Sequence, residues 1–196
     1  PTEGGVHSSS GIRVVGESTL ARNIKLDILF VIAGGDPFLV DNKKLFSWLN
    51  RLAKFGTIIG GISGGPVILT KAGIMGDRRM TVHWEHGEAL SEGFPNLMIE
   101  RTLYVIDRDR LTCAGGTAAL DLMLELITKH HGSQFASLVS DWFLHTEIRP
   151  SIGPQRSGMP ARVGSSNSAI LDAVKLMESH VADPVGLSDL ASAAGV

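Results

Sequence analysis

The sequence predicts an α/β sandwich built around a mostly parallel sheet. Three observations carry that expectation. Apolar runs of strand length alternate with amphipathic segments of helix length, glycines mark the turns between them, and the strand runs are continuously apolar. Residues 26–33 (LDILFVIA) form the first such run, followed by Gly34-Gly35, as expected of a strand buried on both faces. A helix over 42–55 follows, with Leu45, Trp48, Leu49 and Leu52 at i, i+3, i+4, i+7 and Gly56 as its stop. Residues 57–62 read as a second buried strand. A glycine turn at Ser63-Gly64-Gly65 leads into a short helix over 67–72, ended by Gly73. A short strand is expected over 80–84. Residues 103–107 and 111–113 flank Arg108-Asp109-Arg110 and read as a hairpin-like pair. A largely buried helix over 117–129 follows Gly115-Gly116; its polar stripe is only Asp121, Glu125 and Thr128. Another helix spans 134–144.

Beyond residue 149 the character changes. Residues 150–168 are rich in Pro, Gly, Ser and Arg and read as a linker. Residues 169–181 are amphipathic, with Ile170, Val174, Met177 and Val181 on one face. Asp183-Pro184 breaks that helix, and Leu187, Leu190, Ala191 and Ala194 start another that ends at Gly195. The Gly/Ser-rich stretch over 4–11 reads as a loop. Both ends of the sequence look like cuts rather than domain boundaries. The expected organisation is a domain over 1–149, a linker over 150–168, and the start of a second, all-α domain over 169–196.

Composition bounds the function. The 196 residues carry 18 Lys and Arg against 20 Asp and Glu, a net charge of −2. That balance gives no basic face for nucleic acid within these residues. Hydrophobic residues make up 43%, enough for a full core. Cys113 is the only cysteine, so no internal disulfide forms, which suits a reducing cytoplasm. No apolar stretch reaches the roughly 18 residues of a membrane span. No signal-peptide pattern opens the chain.

Gly61-Ile62-Ser63-Gly64-Gly65 fits G-x-S-x-G between a strand and a helix, the setting of a nucleophile elbow. Such a turn lifts the Ser63 side chain clear of the strand end, beside a helix N-terminus that favours anions. A tight turn that merely contains serine is the alternative; the context favours a pocket. A working nucleophile needs a base. His83 is the best placed in sequence, but nothing pairs it with Ser63. His130 and His131 suit a helix C-terminus, and His145 lies at the end of another helix. Cys113 reads as a small buried residue rather than a thiolate. His83 and His86 with Glu85 between them show no further ligand pattern, so no metal and no cofactor are assigned. Trp84 either packs in the core or walls a ligand. Gly34-Gly35 present backbone N–H groups at the same sheet edge as Ser63, where parallel sheets bind ligands. The expected ligand contacts are therefore Gly34, Gly35, Ser63, Gly64, His83 and Trp84, with no catalytic residue.

Taken together, Gly34-Gly35, Gly61 to Gly65, Thr81-Val82-His83-Trp84 and the segment 107–121 (DRDRLTCAGGTAALD) resemble the DJ-1/PfpI-like domain of a branch of AraC-family regulators. Residues 169–196 are similar to the first helices of the AraC-type helix-turn-helix domain. The resemblance implies a flavodoxin-like, glutamine-amidotransferase-like three-layer sandwich that senses a small metabolite and forms a homodimer. It also implies DNA binding through the complete C-terminal domain, which these residues alone do not provide. Enzymes of the superfamily carry cysteine at the elbow, with a glutamate and often a histidine. Here Ser63 stands at the elbow, residues 100–111 contain no histidine, and the first strand-helix unit that would hold the glutamate is missing. The wording around His83 to His86 and over 106–119 implies an amino acid or quaternary amine as effector, as in regulators of arginine, glycine betaine or carnitine use. The alternative is a serine hydrolase or amidase acting through Ser63.

Overall fold

The computed structural model describes residues 5–8, 10–17, 20 and 25–195. Gly4 and Ser9 of the Gly/Ser-rich stretch and Val196 of the tail lie outside the described residues. The chain divides into two compact units, Pro1–Gln155 and Arg156–Val196.

In the first unit, the stretch read as a loop contains a small antiparallel pair, β1 (Val6–His7) and β2 (Arg13–Val14). Its turn is closed by the Gly11 N–H donating to Ser8 O at 2.9 Å. The central sheet begins at β3 (Ile28–Ala33), followed by α1 (Lys43–Lys54), β4 (Ile58–Ser63) and α2 (Gly65–Lys71). Then come β5 (Arg79–Met80), α3 (Trp84–Gly93), β6 (Met98–Ile99), β7 (Tyr104–Asp107) and β8 (Arg110–Cys113). Two helices complete the unit, α4 (Ala118–His131) and α5 (Ser133–Trp142). The four-stranded sheet runs β3-β4-β8-β7; β3, β4 and β8 are parallel and β7 is antiparallel to β8. This is the mainly parallel α/β sheet that the glycine-marked alternation predicts.

Strand alternation sorts the side chains into two cores. Leu29, Val31, Ala33 and Ile59 face α1, α2 and α3, where Leu49, Leu52, Val67, Leu69 and Leu90 are buried. Phe30, Ile58, Ile62, Leu111 and Cys113 face α4 and its Ala118 and Leu122. Two helical layers thus sandwich one sheet.

Several elements differ from the expectation. β3 is not buried on both faces: among the described residues it pairs only with β4, and Ile32 is 71% exposed. The strand expected over 80–84 stops at Met80, and Trp84 opens α3 instead. That helix has few apolar positions, and only His86 and Leu90 in it are buried, so its period is faint in the sequence. Residues 150–155 are not free linker. The Leu103 N–H donates to Ser151 O at 2.8 Å, and Gln155 Nε2 donates to Val82 O at 3.1 Å and Thr102 O at 2.7 Å.

Asp121, expected on a polar stripe, is fully buried. Four hydrogen-bond contacts compensate its charge. Arg149 donates to it from its backbone N at 2.9 Å, from Nε at 3.0 Å and from Nη2 at 2.6 Å, and His145 Nε2 lies 3.0 Å from Oδ1. Burial alone would raise this carboxyl; the Arg149 contacts and the His145 ring outweigh it and hold the group below the usual carboxylate range. Arg149 Nη2 also reaches Thr117 Oγ1 at 2.7 Å, so the segment after α5 is pinned to the start of α4.

The second unit contains α6 (Met159–Val163), α7 (Ser168–Ser179) and α8 (Leu187–Ala194). The sequence-read linker thus holds a short helix of its own. Arg162 and Glu178 form a two-pronged pair at 2.9 and 3.3 Å that joins α6 to α7. The Asn167 side chain caps α7 at Ala169 N, and Gly195, at φ +75°, ends α8. The apolar residues Ile170 and Met177 remain 45% and 47% exposed.

Asp121→Asn removes the charge that holds Arg149 and is expected to cost about 1–3 kcal/mol in urea unfolding. Because the folded pKa is depressed, the wild-type contribution is complete above the unfolded carboxylate pKa of about 4 and is lost as pH falls below it. The difference between wild type and Asp121→Asn should shrink on acidification. A difference that is constant with pH would contradict the assignment.

Candidate functional site

The carboxyl ends of β3, β4 and β8 converge. β4 ends at Ser63, whose φ of +61° is left-handed, a conformation that costs a non-glycine residue about 1–3 kcal/mol. The turn is forced by what lies around it. A Cβ on Gly65 would stand 2.0 Å from Val31 O, so α2 starts in contact with the β3 backbone. The Gly64 N–H donates to Ala33 O at 2.9 Å. From the other side Gly115, at φ +93°, lies flat on the serine: a Cβ there would stand 2.7 Å from Ser63 Cβ and 3.1 Å from its Oγ. The nucleophile-elbow geometry read from G-x-S-x-G is therefore present in backbone form.

The other expected contact residues surround it in part. Gly34 and Gly35 follow β3 directly and are exposed. The His83 N–H donates to Ser63 O at 3.3 Å, which brings the start of α3 onto the elbow. His83 caps α3, its Nδ1 accepting from Glu85 N at 3.4 Å and lying 3.7 Å from Glu85 Oε2. Trp84 is 47% exposed, with its ring 5.2 Å from that of His83, so it is no core residue. The Gly64 N–H bond to Ala33 O and the His83 N–H bond to Ser63 O bring segments 33–35, 63–64 and 83–84 together at one edge.

The chemistry of the serine is limited. Among the described residues no side chain is hydrogen-bonded to the Ser63 hydroxyl, and the His83 Nδ1 is directed to Glu85. A general base must lie within about 3 Å of the proton it takes, or one water away. Cys113 is fully buried beneath the elbow, opposite Ile62 in the sheet register. Burial pushes its thiol up to about 11, against a hydrogen bond from the Gly115 N–H that lowers it. His145 pairs with Asp121 and takes no part at the elbow.

Two features were not anticipated. Gly115 is as much part of the site as Gly64, and its place beside a second glycine after β8 was the available signal. The large clefts also lie elsewhere: one of about 750 Å³ runs along α1 past Phe46, Asn50 and Lys54, and one of about 700 Å³ lies below it near Trp48 and Phe55. Neither is lined by elbow residues.

Cys113 is expected to resist alkylation by iodoacetamide at pH 8 in the folded protein and to react once in denaturant; rapid labelling of the native chain would contradict its placement. Gly115→Ala combines a positive φ with a clash against Ser63. Chemical unfolding should show a loss of about 1–3 kcal/mol, and a neutral result would mean that the strand ends do not touch as described.

Comparison with known proteins agrees with this architecture. Residues 1–129 match the DJ-1/PfpI family. The HTH-type transcriptional regulator CdhR of Pseudomonas aeruginosa is 40% identical over 96% of this chain and 56% of its own length. The HTH-type transcriptional regulator GlxA of Rhizobium meliloti is 38% identical over all of this chain and 61% of its own. The chain therefore spans a little over half the length of these relatives. Among solved structures, an AraC family transcriptional regulator from Pseudomonas putida aligns with a TM-score of 0.62 at 32% identity, over 70% of this chain and 75% of that one. The crossed strand ends, the left-handed serine at the elbow and the matched sequence lead to one conclusion: the chain belongs to the DJ-1/PfpI family.

Proposed function

We propose that the first unit is the effector-sensing domain of a transcription regulator, and that its ligand site is the edge formed by Gly34, Gly35, Ser63, Gly64, His83 and Trp84. The observation that carries the reading is the elbow itself: Ser63 is held in a costly backbone conformation, and among the described residues no base is hydrogen-bonded to its hydroxyl. Strain of that kind persists where the surrounding structure over-determines it, commonly at ligand sites. The exposed Gly34-Gly35 backbone and the Ser63 hydroxyl suit a carboxylate, and the half-exposed Trp84 ring suits a cationic amine. The effector is then an amino acid or quaternary amine.

The regulators among the relatives support the rest. Residues 169–195 supply helices of the kind that open a helix-turn-helix domain, and the complete domain binds DNA, with the protein acting as a homodimer in the cytoplasm. Arg149, clamped to Asp121 at the start of α4, ties the end of the sensing domain to the helix that follows Gly115-Gly116.

Thermal unfolding against a panel containing arginine, glycine betaine and carnitine, with product analysis, tests the reading. A ligand at a hundredfold excess over its Kd adds about 2.7 kcal/mol to stability. One panel member should raise Tm, be recovered unchanged, and lose its effect in Trp84→Ala. Turnover that disappears in Ser63→Ala would instead establish a serine hydrolase or amidase.

A further inference from the structure

The start of α3 holds a side-chain cluster that the sensor reading does not use as such. His83, Glu85 and His86 bring three donor atoms, one from each residue, within 4.8 Å of one another. The His83 Nδ1 and Glu85 Oε2 are already 3.7 Å apart, close to the edge of a zinc coordination tetrahedron, and the two imidazole rings lie 5.9 Å apart. His86 supplies the second observation. It is 92% buried, being 8% exposed, yet no described residue hydrogen-bonds its ring; its neighbours there are the edge of Phe38 and the ring of His83. The ring nitrogens of His86 are not sealed off from solvent, and they stand open beside a second imidazole and a carboxylate.

We propose that His83, Glu85 and His86 form a binding site for one divalent transition-metal ion, with zinc best suited to the donor set. Two neutral imidazoles and one carboxylate are the ligands of open zinc sites, which keep a further position for water or a small molecule. Magnesium and calcium prefer oxygen donors and fit poorly. The positive end of α3 opposes a cation, and the negative charge of Glu85 in its first turn offsets that opposition. Binding displaces the long 3.4 Å hydrogen bond from Glu85 N to His83 Nδ1, and small side-chain rotations bring the three donors to bonding distance. Because the His83 N–H is bonded to Ser63 O, the ion sits next to the elbow. The zinc titration needs neither DNA nor an organic effector, so although His83 is shared with the effector edge, its failure leaves the regulator reading untouched.

The test titrates the metal-free chain with zinc against a chromophoric chelator, and with cobalt(II) followed by its visible absorption. One ion per chain is expected, with the absorption of a four- or five-coordinate cobalt. Glu85→Gln and His83→Asn should each weaken binding by at least about tenfold, with circular dichroism unchanged because the Glu85 and His83 side chains are 66% and 30% exposed. His130→Asn with His131→Asn, which removes an exposed imidazole pair elsewhere, should bind as wild type does. Absence of a stoichiometric ion, binding that survives both Glu85→Gln and His83→Asn, or binding lost in the His130/His131 variant would each overturn the proposal.

Discussion

The structure of the first unit depends on one close approach, that of the Gly65 backbone to Val31 O at the end of β3. No side chain fits between them, so the chain leaving β4 must turn sharply, and Ser63 takes the left-handed conformation that the turn requires. The same approach drives α2 into the core, where every residue from Gly65 to Thr70 is buried. Gly115 completes the arrangement from the β8 side by lying against Ser63. Three strand ends are thereby held at a single point, and the exposed edge around Ser63 is rigid because it is over-determined from both sides.

That rigidity fixes the position of the Ser63 side chain. Enzymatic serine chemistry needs a proton acceptor aligned with the hydroxyl. At this elbow the nearest imidazole is engaged as the cap of α3, and the thiol below is buried and protonated at neutral pH. Around the Ser63 hydroxyl lie the exposed Gly34-Gly35 backbone and the half-exposed Trp84 indole. A second tether, the buried Asp121 with Arg149 and His145, fixes the end of the domain to the first turns of α4, one short loop from Gly115.

Much of this was legible in the sequence because it is written in local patterns. The continuous apolar runs marked β3 and β4, the spacing of Leu45, Trp48, Leu49 and Leu52 marked α1, and G-x-S-x-G between strand and helix marked the elbow. What was missed depends on tertiary context. Asp121 looked like a surface residue, because its partners His145 and Arg149 are more than twenty positions away. The start of α3 looked like a strand, because Thr81-Val82 are β-branched and the helix after them buries little. The exposure of Ile32 follows from strand order, which no local pattern encodes. The elbow was visible as a motif, whereas the cleft along α1 was not.

The central claim is that an effector binds at the joined strand ends. Amide chemical-shift mapping on the folded protein, with arginine, glycine betaine and carnitine added in turn, addresses it directly. The expected result is that one of them shifts the N–H signals of Gly34, Gly35, Ser63, Gly64, Trp84 and Gly115 together. Shifts confined to the α1 cleft at Phe46, Asn50 and Lys54, with the strand ends silent, would contradict it.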